Sequence, residues 1–221
     1  NMRQLFNAGL SFALDNNERM PWQLDANGVR DHFGLGASNV EYGKQGNTGI
    51  NEVTAHPNSL AAAGVYGLTG MKVELVTPKI LHSPCDSVRA AANEIADKNW
   101  SSYDTKAKGV SAELGRGSSY VLVRGADTWR PTSVYALTRN WSADRLDTGK
   151  WLGSKSDKGN ARTMSGLKAS QGQVVTMDGG AKQSNNSDLG AGGSYTKAAQ
   201  TDSGGVAKGR TSLNLIRGPG L

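Results

Sequence analysis

The sequence predicts an α+β fold in which one N-terminal helix packs on an antiparallel sheet with extended loops. Two observations carry this prediction. Residues 1–14 place apolar side chains at helical spacing, whereas the strand-like runs come later, at 119–124, 132–138 and 173–177. Turn residues follow or separate these runs, which is typical of antiparallel strands. We therefore expect a helix first, loops next and a sheet last.

The N-terminal helix is predicted by an apolar stripe. Its main members are Met2, Leu5, Phe6 and Leu10. Asn, Asp and Pro residues follow, and they should end the helix near residues 15–19. The stripe is already in phase at Met2, and only Asn1 precedes it as a capping residue. This pattern indicates the second half of a longer helix, so we expect a processed product or a further segment upstream.

The middle of the chain shows weaker patterns. The predicted elements are loops or short strands over 23–58 (with strands near 40–42), a short helix over 59–65, a strand or extended segment over 71–78, a turn at 83–86 and a helix that ends near Lys98. The strand is predicted from the alternation of Val73 and Leu75 with charged neighbours. Asp86 or Ser87 can cap the helix that follows the turn.

Three strand predictions fall in the second half. The sequences SYVLVR, TSVYALT and QVVTM are rich in β-branched and aromatic residues. Asp178 and Gly179 follow the third run and predict a turn of the hairpin kind. Residues 181–211 contain few apolar side chains and many Gly, Ser and Ala, and a last short apolar run covers 212–216.

Composition limits the class of protein. The chain has 221 residues and a mass of 23.3 kDa, which suggests one domain, or one domain with an appendage. No run approaches the ~20 apolar residues of a membrane span. The single cysteine, Cys85, excludes an internal disulfide and a zinc site made of thiolates alone. His32, His56 and His82 lack the spacing of metal ligands, so we expect neither a metal nor a cofactor.

No catalytic centre is evident. His82 and Cys85 could form a thiol–imidazole pair, but a proline lies between them and no third partner can be assigned. Asp86, Asp127 and Asp178 all lie at predicted turns. A carboxylate there caps backbone amides or binds calcium, and capping is the more common role.

Basic charge is concentrated in one stretch. The net charge is +6, and residues 139–168 hold seven Lys or Arg against three Asp. Tryptophans in and near this stretch suggest a surface for an acidic polysaccharide or DNA. The candidate residues are Trp129, Arg139, Trp141 and Trp151. The alternative is a solvated surface loop that two tryptophans anchor to the core.

Five stretches in one order point to a known family. They are 1–21 (NMRQL through DNNERMP), 83–86 (SPCD), the SY…D…P…RN pattern from Ser119 to Asn140, 171–179 (QGQVVTMDG) and the ending 210–219. Together they resemble bacterial type IV pilin-like proteins, in particular type II secretion pseudopilins of the Verrucomicrobia and Planctomycetes kind. Two positions differ: Cys85 follows the proline that it precedes in the family, and Lys168 stands where many relatives have a histidine, so no role of that histidine is carried over.

The resemblance implies a pilin-like organisation. Residues 1–20 would be the end of a spine helix, 21–178 an α+β head, and 179–221 a Gly/Ser-rich extension packing on the head. A hydrophobic half-helix upstream would anchor the precursor in the inner membrane, and the mature protein would be extracellular or at the cell surface. Copies of the chain and the inner-membrane assembly machinery are the implied partners, with Met2, Leu5, Phe6 and Leu10 as the assembly stripe.

Three function classes therefore remain open. A structural filament subunit without enzymatic activity is favoured. A secreted module that binds acidic polysaccharide or nucleic acid is the alternative, and an enzyme is the least favoured of the three.

Overall fold

A helix and an antiparallel sheet organise the part of the chain that the computed structural model describes, which comprises residues 1–24, 32, 65–66, 68–87, 100, 117–154, 162–201 and 213–216. The helices that are described along their whole length are α1 (Met2–Asp15), α2 (Thr69–Leu75) and α3 (Ser194–Thr201), with short 3-10 turns at Pro21–Gln23 and Pro78–Leu81. The strands are β1 (Tyr120–Val123), β2 (Val134–Thr138), β3 (Gln171–Thr176), β4 (Ala181–Asn185) and β5 (Leu215–Ile216). The predicted α+β class is confirmed at this level.

The sheet has five strands in the order β4-β3-β2-β1-β5. Every neighbouring pair is antiparallel. The three strands predicted from SYVLVR, TSVYALT and QVVTM are β1, β2 and β3, so these predictions are confirmed. The turn at Asp178 and Gly179 joins β3 to β4 as a hairpin.

Both faces of the sheet are covered. On one face, α1 packs on β2 and β3, and Leu122, Ala136 and Val175 belong to the same apolar cluster as the helix. On the other face, Val121 and Val174 belong to a second apolar cluster that also contains Trp141 and Trp151. Because successive residues of a strand point to opposite faces, β1 contributes to both clusters. This double burial explains why its sequence is almost continuously apolar.

The face beneath α1 changes character from one cross-strand row to the next. The row under the helix is apolar and consists of Leu122, Ala136, Val175 and Ala181, which are partners in register. The next row contains Tyr120, Thr138, Gln173 and Gln183, where Thr138 is linked to Gln173 by a 3.0 Å bond from backbone N–H to hydroxyl. A further pair, Gln171 and Asn185, is polar as well. We call the row that contains Leu122 and Val175 the apolar row, and the row that contains Gln173 and Gln183 the polar row.

Helix α1 matches its prediction. It spans Met2–Asp15, and the chain leaves the helical path at Asn17 and Glu18, which have φ of 54° and 61°. Asn tolerates this left-handed conformation better than most residues. The side-chain amide of Asn16 donates to the Phe12 carbonyl at 2.8 Å and caps the last turn. The predicted end near residues 15–19 is confirmed.

The prediction of a strand or extended segment over 71–78 is wrong for 71–75, because these residues belong to α2. Leu68, Met71 and Leu75 are fully or almost fully buried, whereas Val73 is 70% exposed. The buried positions follow a helical spacing of three and four, and they pack with α1. The helix ends at Val76, whose φ of 60° is unusual for a β-branched residue.

Other predictions meet the structure only in part. The turn at 83–86 is confirmed by the 2.9 Å bond from Asp86 N–H to the Ser83 carbonyl. The predicted loops over 23–58, the helix over 59–65 and the helix up to Lys98 lie almost entirely outside the described residues. No strand or helix was predicted within 181–211, yet β4 and α3 lie there. Strand β4 is an edge strand of mostly polar residues, so its pairing with β3 rather than an apolar pattern defines it.

Candidate functional site

The predicted assembly stripe lies against the chain's own sheet. Its deeply buried members, none more than 7% exposed, are Met2, Leu5 and Phe6. Leu10 is half-buried beside them. Phe6 meets the ring of Tyr135 edge-on, with centroids 6.1 Å apart. A Cβ at Gly9 would overlap the Tyr135 hydroxyl, so this glycine permits the close approach of helix and sheet. Within one chain, the stripe is part of the core.

The opposite face of α1 is open to solvent. Arg3, Gln4 and Asn7 are exposed, and Leu14 is 64% exposed. Arg3, Asn7 and Leu14 recur at helical spacing, so they lie on one side of the helix. The Ser11 hydroxyl donates to Glu74 at 3.2 Å and ties α2 to the flank of α1. The helix is thus buried on one side only.

The Asp178–Gly179 turn lies against the buried side of α1. One carboxylate oxygen of Asp178 accepts the Thr176 hydroxyl at 2.5 Å and the Gly180 N–H at 2.8 Å. These bonds hold the pKa of the Asp178 carboxyl below its usual range. Gly179 has a φ of 80°, and a Cβ there would lie 3.1 Å from the Phe6 ring. The turn therefore needs glycine both for its backbone and for the packing of the helix.

The structure corrects the predicted ligand surface. Arg139, Trp141 and Trp151 are at most 2% exposed, so they cannot contact a macromolecule at the surface of this fold. Only Trp129 is open to solvent, at 61%. Trp141 and Trp151 pack edge-on at 5.0 Å against the sheet face opposite α1. The alternative reading, in which two tryptophans anchor a surface segment to the core, describes their position.

Arg139 is part of a buried ion pair. Its guanidinium donates two bonds to the Asp86 carboxylate, at 2.6 and 2.7 Å, and one to the Thr163 carbonyl at 2.6 Å. Asp86 was predicted to cap a turn, as Asp127 does for the Trp129 N–H at 2.9 Å. Instead it joins the 83–86 turn to the end of β2 across 53 residues of sequence. This arrangement is structural, since both side chains are at most 1% exposed.

A cavity of about 540 Å³ opens where α1 begins. Its walls are the first residues of α1, the turn at 83–85 and the polar row of the sheet. Arg3, Tyr120, Gln173 and Gln183 contribute side chains to this lining. No pattern in the sequence predicts this cavity. Its one local signal is Gln173, a polar residue at the start of the run QVVTM.

Burial shifts the pKa of two titratable groups near the cavity. Burial raises the pKa of Tyr120 and lowers the pKa of His82. His82 Nδ1 lies 3.4 Å from the Ser119 hydroxyl. Among the described residues, no three or more His, Cys, Asp or Glu side chains come together in a group that could hold a metal ion.

The longest helix in the described ranges is α1, and no helix there is long and apolar enough to cross a bilayer. Comparison with known proteins adds no relative: no family model, no curated protein and no solved structure matches this chain.

Proposed function

We propose that this chain is a structural subunit of an extracellular filament or secretion pseudopilus of the pilin-like kind. The observation that supports the proposal best is the one-sided burial of α1. Its apolar stripe packs on the chain's own sheet, while Asn7 and Leu14 on the opposite side remain exposed and available to neighbouring copies. The order of the five sequence stretches described above supports the same role.

In this proposal, copies of the chain associate through α1 by head-to-tail contacts that do not close into a ring, which gives an open filament. The precursor would sit in the inner membrane, where the assembly machinery adds subunits, and the mature protein would act outside the cell or at its surface. The role is structural, and no step of it requires a cofactor or a catalytic residue.

The first experiment measures the intact mass and the N-terminal residue of the protein from its native source. We expect a mass above 23.3 kDa by about 3 kDa, from ~30 further residues with a membrane-length apolar stretch. A native protein that begins at Asn1 would lack the hydrophobic half of the assembly helix and would contradict the proposal.

A second experiment places a thiol on the open side of α1. In a Cys85→Ser background, Asn7→Cys should give a ladder of disulfide-linked oligomers when native assemblies are oxidised. Lys150→Cys, at an exposed site outside α1, is the matched control and should give no ladder. Equal cross-linking at both sites would indicate random collision rather than assembly through the helix.

The alternative function lacks a binding surface, because three of its four predicted residues, Arg139, Trp141 and Trp151, are buried. An acidic polysaccharide or DNA would meet only Trp129 among them.

A further inference from the structure

We infer that the cavity at the start of α1 binds a saccharide that carries a carboxylate, as the uronic acid units of acidic polysaccharides do. This inference does not depend on filament assembly. It concerns a site that lies beside the assembly helix and apart from the predicted tryptophan surface.

The size of the cavity suits a small ligand. Its volume of about 540 Å³ lies within the range of about 300–1,000 Å³ that is usual for ligand sites. The cavity lies over the polar row, at the edge of the area that α1 covers. A ligand would therefore rest on the sheet and touch the first turn of the helix.

The floor offers paired amides. Gln173 and Gln183 are direct partners on neighbouring antiparallel strands, so their side chains share one face and lie next to each other. Each amide can donate two hydrogen bonds and accept two. Neighbouring hydroxyls of a sugar ring also donate and accept, so they match this set of groups.

The walls add apolar surface. Met2, Pro84 and Ala181 line the same cavity. A sugar ring has C–H groups on its faces and hydroxyls at its edge, so it can meet apolar and polar groups at once. An apolar lining with a few well-placed polar groups is the usual character of a specific ligand site.

The charge of the cavity favours an anion. Arg3 is exposed at the rim, and no hydrogen bond or ion pair engages it among the described residues. The described lining contains no carboxylate. The carboxylate of Asp86, which follows the 83–85 turn, is paired with Arg139 instead. Lys182 also borders the cavity, but its ammonium lies 4.6 Å from the centre of the Tyr195 ring. Arg3 is therefore the group that would bind the ligand's carboxylate, in the bidentate geometry that guanidinium favours.

The test is a titration of the full 221-residue chain with glucuronate and with glucose, followed by NMR. Glucuronate should shift the side-chain amide signals of Gln173 and Gln183 in a saturable way. Glucose should bind about tenfold more weakly, because it lacks the charge-assisted bonds. Arg3→Gln should weaken glucuronate binding by about tenfold and leave glucose binding unchanged.

Three controls make the outcome decisive. Lys150→Gln removes the same charge at an exposed site outside the cavity lining and should leave binding unchanged. Gln183→Glu, at an exposed position of β4, adds a like charge and should abolish glucuronate binding while the fold persists. Glucose 6-phosphate should bind no more tightly than glucuronate.

The inference is overturned by any of three results: no saturable shift at Gln173 and Gln183, equal losses in Arg3→Gln and Lys150→Gln, or tighter binding of the phosphate ester. The last result would assign the cavity to a phosphate instead of a carboxylate.

Discussion

The buried pair of Asp86 and Arg139 allows a quantitative prediction. Asp86→Ala leaves a guanidinium that is 1% exposed without its carboxylate, although the Thr163 carbonyl remains as an acceptor. Removing one partner of such a pair typically costs about 3–5 kcal/mol of unfolding free energy. For a chain of this size each kcal/mol lowers Tm by about 2–4 °C, so we expect a fall of about 6–20 °C in thermal unfolding followed by circular dichroism.

Two further variants test the reasoning. The double variant Asp86→Leu with Arg139→Met removes both charges, so it should be more stable than Asp86→Ala alone. Asp147→Ala breaks the pair with Arg145, whose side chain is 49% exposed, and should cost no more than about 1 kcal/mol. An Asp86→Ala loss below about 1 kcal/mol, or a double variant less stable than the single one, would refute the account.

Three other predictions follow from packing and charge. Gly9→Ala should lower stability by about 1–3 kcal/mol in urea unfolding because its Cβ would collide with the ring beneath the helix, whereas Gly192→Ala, with open space around it, should change little. Trp151→Ala should cost about 3–5 kcal/mol and Trp129→Ala less than about 0.5 kcal/mol in the same assay; similar losses would contradict their assigned burial. The pKa of the Asp178 carboxyl is lower in the folded protein than in the unfolded chain. Its contribution to stability is therefore present above the unfolded pKa and is lost as the pH falls through the folded pKa. Asp178→Asn should flatten the acid limb of a stability–pH curve, and an unchanged limb would argue against the shift.

The strands and the first helix could be predicted because their patterns are local. Strands β1 and β2 are buried on both faces, so β-branched and aromatic residues fill them almost without interruption. Helix α2 was missed because Val73 and Leu75 alternate with charged residues, which is typical of a strand. The residues that become buried against α1 instead have helical spacing. Strand β4 was missed because an edge strand with a polar outer side needs little apolar sequence.

The site predictions depended on long-range geometry that no single sequence carries. Trp141 and Trp151 lie among basic residues, but the sheet face that receives them is formed by β1 and β3 as well as by the neighbouring strand β2. Asp86 finds Arg139 across 53 residues. The cavity unites the start of α1, a turn and three strands, so only the folded chain brings Arg3 near Gln173 and Gln183.

The apolar row and the polar row also fix the axial position of α1 on the sheet. One helical turn is about 5.4 Å long, and a shift of that size toward the polar row would move the apolar stripe onto glutamines that cannot replace Leu122 and Val175 as partners. A shift in either direction would also separate Gly9 from the tyrosine that it accommodates. The sheet therefore sets the axial position of α1, and in the proposed filament every copy of the chain would present α1 at the same axial position.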